Sequence, residues 1–200
     1  MEAIIQLPEA QKTGGKPLMD CFLARHSARE YSRRELPLQD LANLLWATFG
    51  LSREHAGTGI GIPGSHTAPN AFNAQAVDIY VGLPDAVYLY EPHAHELRGV
   101  RAKDIRPSLF CPEQAFVLDA PVNLLYVGDR SRMVLSGDWE WQVFPFADSA
   151  FMAENVYLYC ASAGLETVIR AMVDRPLLAE VLRLRPDQIV TFGQPVGYAV

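Results

Sequence analysis

Apolar residues recur at helical spacing in Leu38, Leu41, Leu45 and Phe49, with Pro37 just ahead of them, which predicts a helix over 38–49. A shorter apolar run predicts a helix over 18–24. Residues 1–16 form the N-terminal segment. From Gln6 to Lys16 it is polar and punctuated by Gly and Pro, so an extended course over the surface is expected. Alternation in Val77-Asp78-Ile79-Tyr80-Val81 reads as a strand, and 86–90 as its neighbour across a turn at Leu83-Pro84-Asp85. The continuous apolar run 122–127 suits a central strand buried on both faces. The longest helix candidate spans 147–163 and is ended by Gly164. Residues 165–169 read as extended and 177–184 as a short helix. A last strand is expected over 189–199, interrupted at Gly193 and Pro195. Helices and strands mix without a strict alternating repeat, so the expected class is α+β, in one domain.

The chain has 200 residues, half of them hydrophobic and a fifth charged, which is a globular balance. Its net charge is −6 with no clustered Lys/Arg stripe, which argues against nucleic acid as a partner. Cys21, Cys111 and Cys160 lie far apart and are odd in number, so free thiols in a reducing cytoplasm are expected rather than a disulfide framework. The N-terminus has no basic, apolar leader pattern, and no apolar run approaches the roughly 20 residues of a membrane span.

Gly59-Ile60-Gly61-Ile62-Pro63-Gly64 satisfies the G-x-G-x-x-G expression, but it does not follow a strand, and Pro63 and Pro69 oppose the helix that should come next. A mobile loop over 54–65, bordering a substrate entrance, is the better reading. His93 and His95 stand two apart without further ligands at metal-site spacing, which suits a hairpin end; no metal is expected. Asp138, Trp139, Glu140 and Trp141 form an aromatic-acidic cluster that fits a pocket cap or an interface equally well. The most informative stretch is Arg25-His26-Ser27-Ala28-Arg29-Glu30-Tyr31. Two guanidinium groups and a hydroxyl within five residues, just after an apolar helix, can serve a phosphate; a solvated charged turn is the alternative.

That stretch resembles the Arg-[Arg/His]-Ser-x-Arg-x-Phe signature of the FMN-dependent nitroreductase superfamily. The resemblance extends to Leu44-Leu45-Trp46-Ala47, to the loop Thr67-Ala68-Pro69-Asn70-Ala71-Phe72-Asn73-Ala74-Gln75, to Glu154-Asn155-Val156-Tyr157-Leu158, to Ala163-Gly164-Leu165-Glu166-Thr167 and to Gly197-Tyr198, in family order from about Leu18 onward. Leu44–Ala47 and Val87-Tyr88-Leu89-Tyr90-Glu91-Pro92 are most similar to the azoline-oxidase (SagB/ThcOx-type) branch.

The resemblance implies a mixed sheet flanked by helices and an intertwined homodimer carrying FMN at its interface. Arg25 and Ser27 would hold the phosphate, Arg29 would reach the N1/O2 edge of the flavin, and His26 would make a backbone contact. Pro69, Asn70, Ala71 and Asn73 would approach the flavin bound mainly by the partner. Arg170, Ala171 and Met172 would place a backbone N–H against N5. Asn70 stands where the family has Ser, Glu154 where it has Gln, and Ser149-Ala150 where a Gly is common. The sequence stops at Val200, short of the basic residue that many members add to the phosphate site.

The implied activity is ping-pong hydride transfer between NAD(P)H and a small organic acceptor, or dehydrogenation of a substrate. The alternatives are flavin binding without turnover, or a scaffold with a decayed site. In either enzymatic route the flavin carries the chemistry, and no protein side chain is needed as catalytic acid or base.

Overall fold

The computed structural model describes residues 3–53, 64–134 and 137–200. Most of the glycine-rich motif, and the expected entrance loop up to residue 63, lie outside the described residues. In chain order the elements are β1 (Ile4–Gln6), α1 (Leu18–Ala24), α2 (Leu38–Phe49), β2 (Leu51–Arg53), β3 (Ser65–His66), β4 (Val77–Gly82), β5 (Val87–Glu91) and β6 (Glu96–Arg101). There follow α3 (Arg106–Leu109), β7 (Val122–Asp129), α4 (Asp138–Ala163), β8 (Glu166–Thr167), α5 (Arg175–Leu182) and β9 (Gln188–Gly197). The α+β class is borne out, and α1 and α2 fall where the apolar spacing puts them.

Among the described residues, seven strands form one sheet in the order β1-β6-β5-β4-β7-β9-β8, and β2 and β3 form a separate pair. The expected mixed sheet is antiparallel in every described pairing. The short turns joining β4, β5 and β6 force that arrangement. The long connection through α4, which could have returned beside β7 as a parallel strand, delivers β8 to the sheet edge beyond β9.

Strand β7 is buried along its whole length. Its alternate residues serve two cores. Val122, Leu124 and Tyr126 face a layer built with α2 and α4, and Leu125 and Val127 face one built with α3 and α5. This is why the sequence shows an unbroken apolar run there.

Four local expectations are corrected. First, α4 begins at Asp138 rather than Ala147, because Pro145 is accommodated inside it. The carbonyl of Pro145 accepts from Ser149 Oγ at 2.6 Å, and Ser149 also bonds Thr191 Oγ1 at 2.8 Å. The proline lies against Gly128 so closely that a Cβ there would come within 2.7 Å of it. Second, β9 runs through Gly193 and Pro195 without a break. Gly193 exchanges both backbone hydrogen bonds with Arg170, at 2.7 and 3.0 Å, and Pro195 needs only its carbonyl, which accepts from Thr167 Oγ1 at 2.8 Å. Third, the N-terminal segment is tied down rather than merely surface-lying. Strand β1 pairs with β6, and Leu7 and Ala10 are buried. Fourth, α5 starts two residues early, where the Asp174 carboxylate accepts from Leu177 N at 3.0 Å.

Candidate functional site

The 25–29 stretch begins where α1 ends. The N–H of Arg25 closes the last turn on Cys21 O at 2.8 Å, and the chain then turns extended. Ala28 N donates to Thr167 O at 3.0 Å, fastening the stretch to β8, and the buried Tyr31 donates its hydroxyl to Ala28 O at 3.1 Å. The Arg25 guanidinium lies over the Tyr157 ring, 5.4 Å from its centroid. Among the described residues the Arg29 guanidinium makes one hydrogen bond, a long one of 3.4 Å to Ser27 O. Neither arginine forms an ion pair among the described residues, so two uncompensated cations flank Ser27. A nearby cavity is lined by Lys16, Arg25, His26, Cys160, Glu166 and Thr167. His26 contacts Glu166 Oε2 at 2.8 Å and Ala24 O at 3.1 Å, both acceptors.

Tyr157 organises this cluster. Its hydroxyl accepts from Ile169 N at 3.0 Å and lies 2.9 Å from Ser27 Oγ. With Tyr157 donating to Ser27, the Ser27 hydroxyl hydrogen is left for an incoming anion. The sequence pattern marks Tyr157 only as one of several apolar positions in α4. Its partners stand 130 and 12 residues away, and no local signal reveals them.

Ile169 leads into 170–172. The Arg170 side chain turns inward and is 2% exposed. It donates to Leu109 O at 2.8 Å, to Met172 O at 3.2 Å and to Gln114 Oε1. Its backbone N–H is already given to Gly193 O. Ala171 and Met172 are exposed, so a free N–H at this edge falls to them rather than to Arg170.

Residues 69–75 form a second group. Ala71 N donates to both oxygens of Asp148, at 3.0 and 3.2 Å, and Asn70 Oδ1 accepts from Gln75 N at 2.8 Å. Asn73 Nδ2 donates to Gly64 O at 3.0 Å. Phe72, Asn73 and Gln75 all have positive φ, at 55°, 53° and 50°. Asp148, 4% exposed, has its carboxyl pushed up to about 6 by burial, with the Ala71 N–H acting in the opposite direction. Ala71 lies in a loop whose motif stands out in the sequence, whereas no local pattern marks Asp148.

The two groups are held by different parts of α4. Asp148 and Tyr157 are nine residues apart, which is about 13 Å along the axis and about 180° around it. One chain therefore holds 25–29 and 69–73 on opposite faces of one helix. His93 and His95 do not converge on a common point. His95 bonds Tyr90 OH and Pro8 O, each at 3.0 Å, while His93 sits edge-on to His66. No described helix is long and apolar enough to cross a membrane.

An antiparallel sheet covered by helices on both faces, with a paired-guanidinium edge beside its central helix, defines the class as α+β. The chain belongs to the nitroreductase family, whose pattern matches residues 23–198, and this implies a flavin-dependent oxidoreductase. A nitroreductase-like protein of Methanocaldococcus jannaschii is 28% identical over 96% of this chain and 95% of its own length. The crystal structure of a nitroreductase-like protein of Ralstonia eutropha JMP134 superposes with a TM-score of 0.89 at 38% identity, covering 98% of this chain and 90% of that one. The NADPH:FMN oxidoreductase of Vibrio harveyi, solved with NAD+, shares the fold with a TM-score of 0.66 at 20% identity, over 91% of this chain and 68% of that one.

Proposed function

We propose that the protein is an FMN-dependent oxidoreductase that works as a homodimer, exchanging hydride between NAD(P)H and a small organic molecule. The observation that carries this reading is the pair of uncompensated guanidinium groups around Ser27, wired through Tyr157 to the edge at Ile169. Bound FMN would supply two-electron chemistry, accepting a hydride from the nicotinamide and passing it on. Arg25 and the Ser27 hydroxyl would hold the phosphate by charge-assisted bonds. Arg29 would place a cation at the N1/O2 edge, favouring negative charge there. Ala171 or Met172 would present a backbone N–H to N5.

The homodimer reading draws support from the placement of the two loops. With 69–73 and 25–29 on opposite faces of α4, a site using both takes one from each of two chains. Exposed apolar side chains on α1 (Leu18, Met19, Phe22, Leu23) and on α4 (Trp139, Phe151) offer surface for that contact. The three free thiols suit a reducing cytoplasm. Within the family we place the chain in the azoline-oxidase branch, on the sequence of Leu44–Ala47 and Val87–Pro92, which would make dehydrogenation of a substrate a further use of the same flavin face.

The test is an anaerobic titration of purified, FMN-reconstituted protein with NADH and NADPH, followed at the flavin band, with the oligomeric state read by sedimentation. Bleaching at about one equivalent per subunit in a dimer is expected. Failure to take up FMN, bound flavin that neither nucleotide reduces, or a monomer that retains FMN at micromolar concentration would overturn the reading.

A further inference from the structure

The 69–75 loop combines two features that ordinary folding disfavours. Three non-glycine residues, Phe72, Asn73 and Gln75, hold left-handed backbone within four positions. The loop is also tethered to a buried carboxyl whose ionisation is opposed by burial, with no charged group on α1, α2, β4, β7, β8 or β9 acting on it among the described residues; its one compensating partner is the Ala71 N–H. Backbone strain persists only where the surroundings impose it, and it concentrates at functional sites. Here the surroundings are specific. Both Asp148 oxygens receive the Ala71 N–H, Asn70 and Gln75 close the turn, and Asn73 fastens it to Gly64. The result turns the Phe72 ring outward, 54% exposed, edge-on to Phe144 at 5.7 Å.

We propose that Asp148 is a positioning residue. Its ionised carboxylate locks Ala71, and through it the left-handed turn, into the shape that Pro69–Asn73 presents to the partner's flavin site. This rests on the functional reading above for the site, though not for the lock itself. A carboxylate grips an N–H more tightly than a neutral carboxyl does, so the lock loosens when the group is protonated. Asp148→Asn keeps an acceptor and loses the titration; Asp148→Ala loses both.

The decisive measurement is amide hydrogen exchange at Ala71 in the FMN-loaded protein from pH 5 to 8, corrected for the intrinsic rate, in the wild type and both variants. Against a local opening that leaves Asp148 buried, the protection of Ala71 in the wild type should fall roughly tenfold as the pH drops from 8 to 5, since a charge-assisted bond gives way to a neutral one; protection that rises as the pH falls overturns the lock. In Asp148→Asn it should be independent of pH, and in Asp148→Ala low throughout. In parallel, KM for the acceptor should rise about threefold or more in Asp148→Ala at pH 8, a change of about 0.7 kcal/mol. Equal protection in all three proteins overturns the lock. Lost protection with unchanged KM and unchanged flavin affinity overturns its role at the site. If the wild type takes up no FMN, the functional reading fails and the site half of the proposal fails with it. Exchange in the flavin-free protein then decides the lock alone.

Discussion

Replacing Asp148 by Asn should change how the stability of the fold responds to pH. The folded-state pKa is raised from 3.8 to about 6, because the carboxyl is buried and only the Ala71 N–H offsets the loss of water. A group whose pKa is raised on folding stabilises the fold when protonated, and that contribution is lost as the pH rises through the folded value. A shift of about two units corresponds to about 3 kcal/mol in all, at about 1.4 kcal/mol per unit. Of this, about 2 kcal/mol falls between pH 4.5 and pH 8 by the linkage relation. With respect to this group, the wild type should therefore be more stable at pH 4.5 than at pH 8, whereas the Asn variant has no such dependence.

The absolute stability of Asp148→Asn also carries the fate of its amide NH2, which costs about 1–3 kcal/mol if it finds no acceptor. That offset is the same at every pH and cancels from the comparison. The assay is urea unfolding at matched protein concentration across pH 4.5–8. The difference between variant and wild type should move by about 2 kcal/mol in favour of the variant as the pH rises. Parallel curves across the range would refute the reasoning, and with it the view that Asp148 is buried as a destabilised anion.

Three further outcomes are expected. Arg25→Ala should weaken FMN binding roughly tenfold or more, by fluorescence titration, because a charge-assisted contact contributes about 1.5–3 kcal/mol; Arg101→Ala, whose guanidinium serves Val181 O instead, should not. Equal losses would misplace the phosphate site. Tyr157→Phe should cost about 1–2 kcal/mol of stability, measured by urea unfolding, since Ile169 N loses its acceptor, and it should also weaken FMN binding; an unchanged protein would refute the bridge. Gly128→Ala should destabilise by about 1–3 kcal/mol, seen as a lowered Tm, because its Cβ would press on Pro145 at 2.7 Å; a neutral result would mean that α4 can move off the sheet.

The elements with strong local patterns were legible from the sequence. The apolar spacing of 38–49 and the short run at 18–24 are intrinsic to single helices, and Gly164 ends α4 in the left-handed conformation that glycine accepts without steric cost. The unbroken apolar run of β7 had to be buried on both faces whatever lay beside it. Arg25, Ser27 and Arg29 stood out as candidates, because two guanidinium groups and a hydroxyl within five residues are a local property of the chain.

What tertiary structure alone decided were the relations across distance. That α4 extends back past Pro145 depended on the proline ring packing against Gly128, a contact made only in the folded chain. The short turns fixed the antiparallel pairing of β4, β5 and β6, but the place of β8 at the sheet edge beyond β9 followed from where α4 delivers it, not from any strand's own pattern. Tyr157 became the centre of the arginine–serine cluster, and Asp148 the anchor of the 69–75 loop, only when partners 130 and 77 residues away were folded against them. A side chain's periodicity tells whether it is buried, but its chemistry depends on which polar atoms share that burial. Those atoms are brought together by the packing of distant elements, and neighbouring residues carry no trace of them.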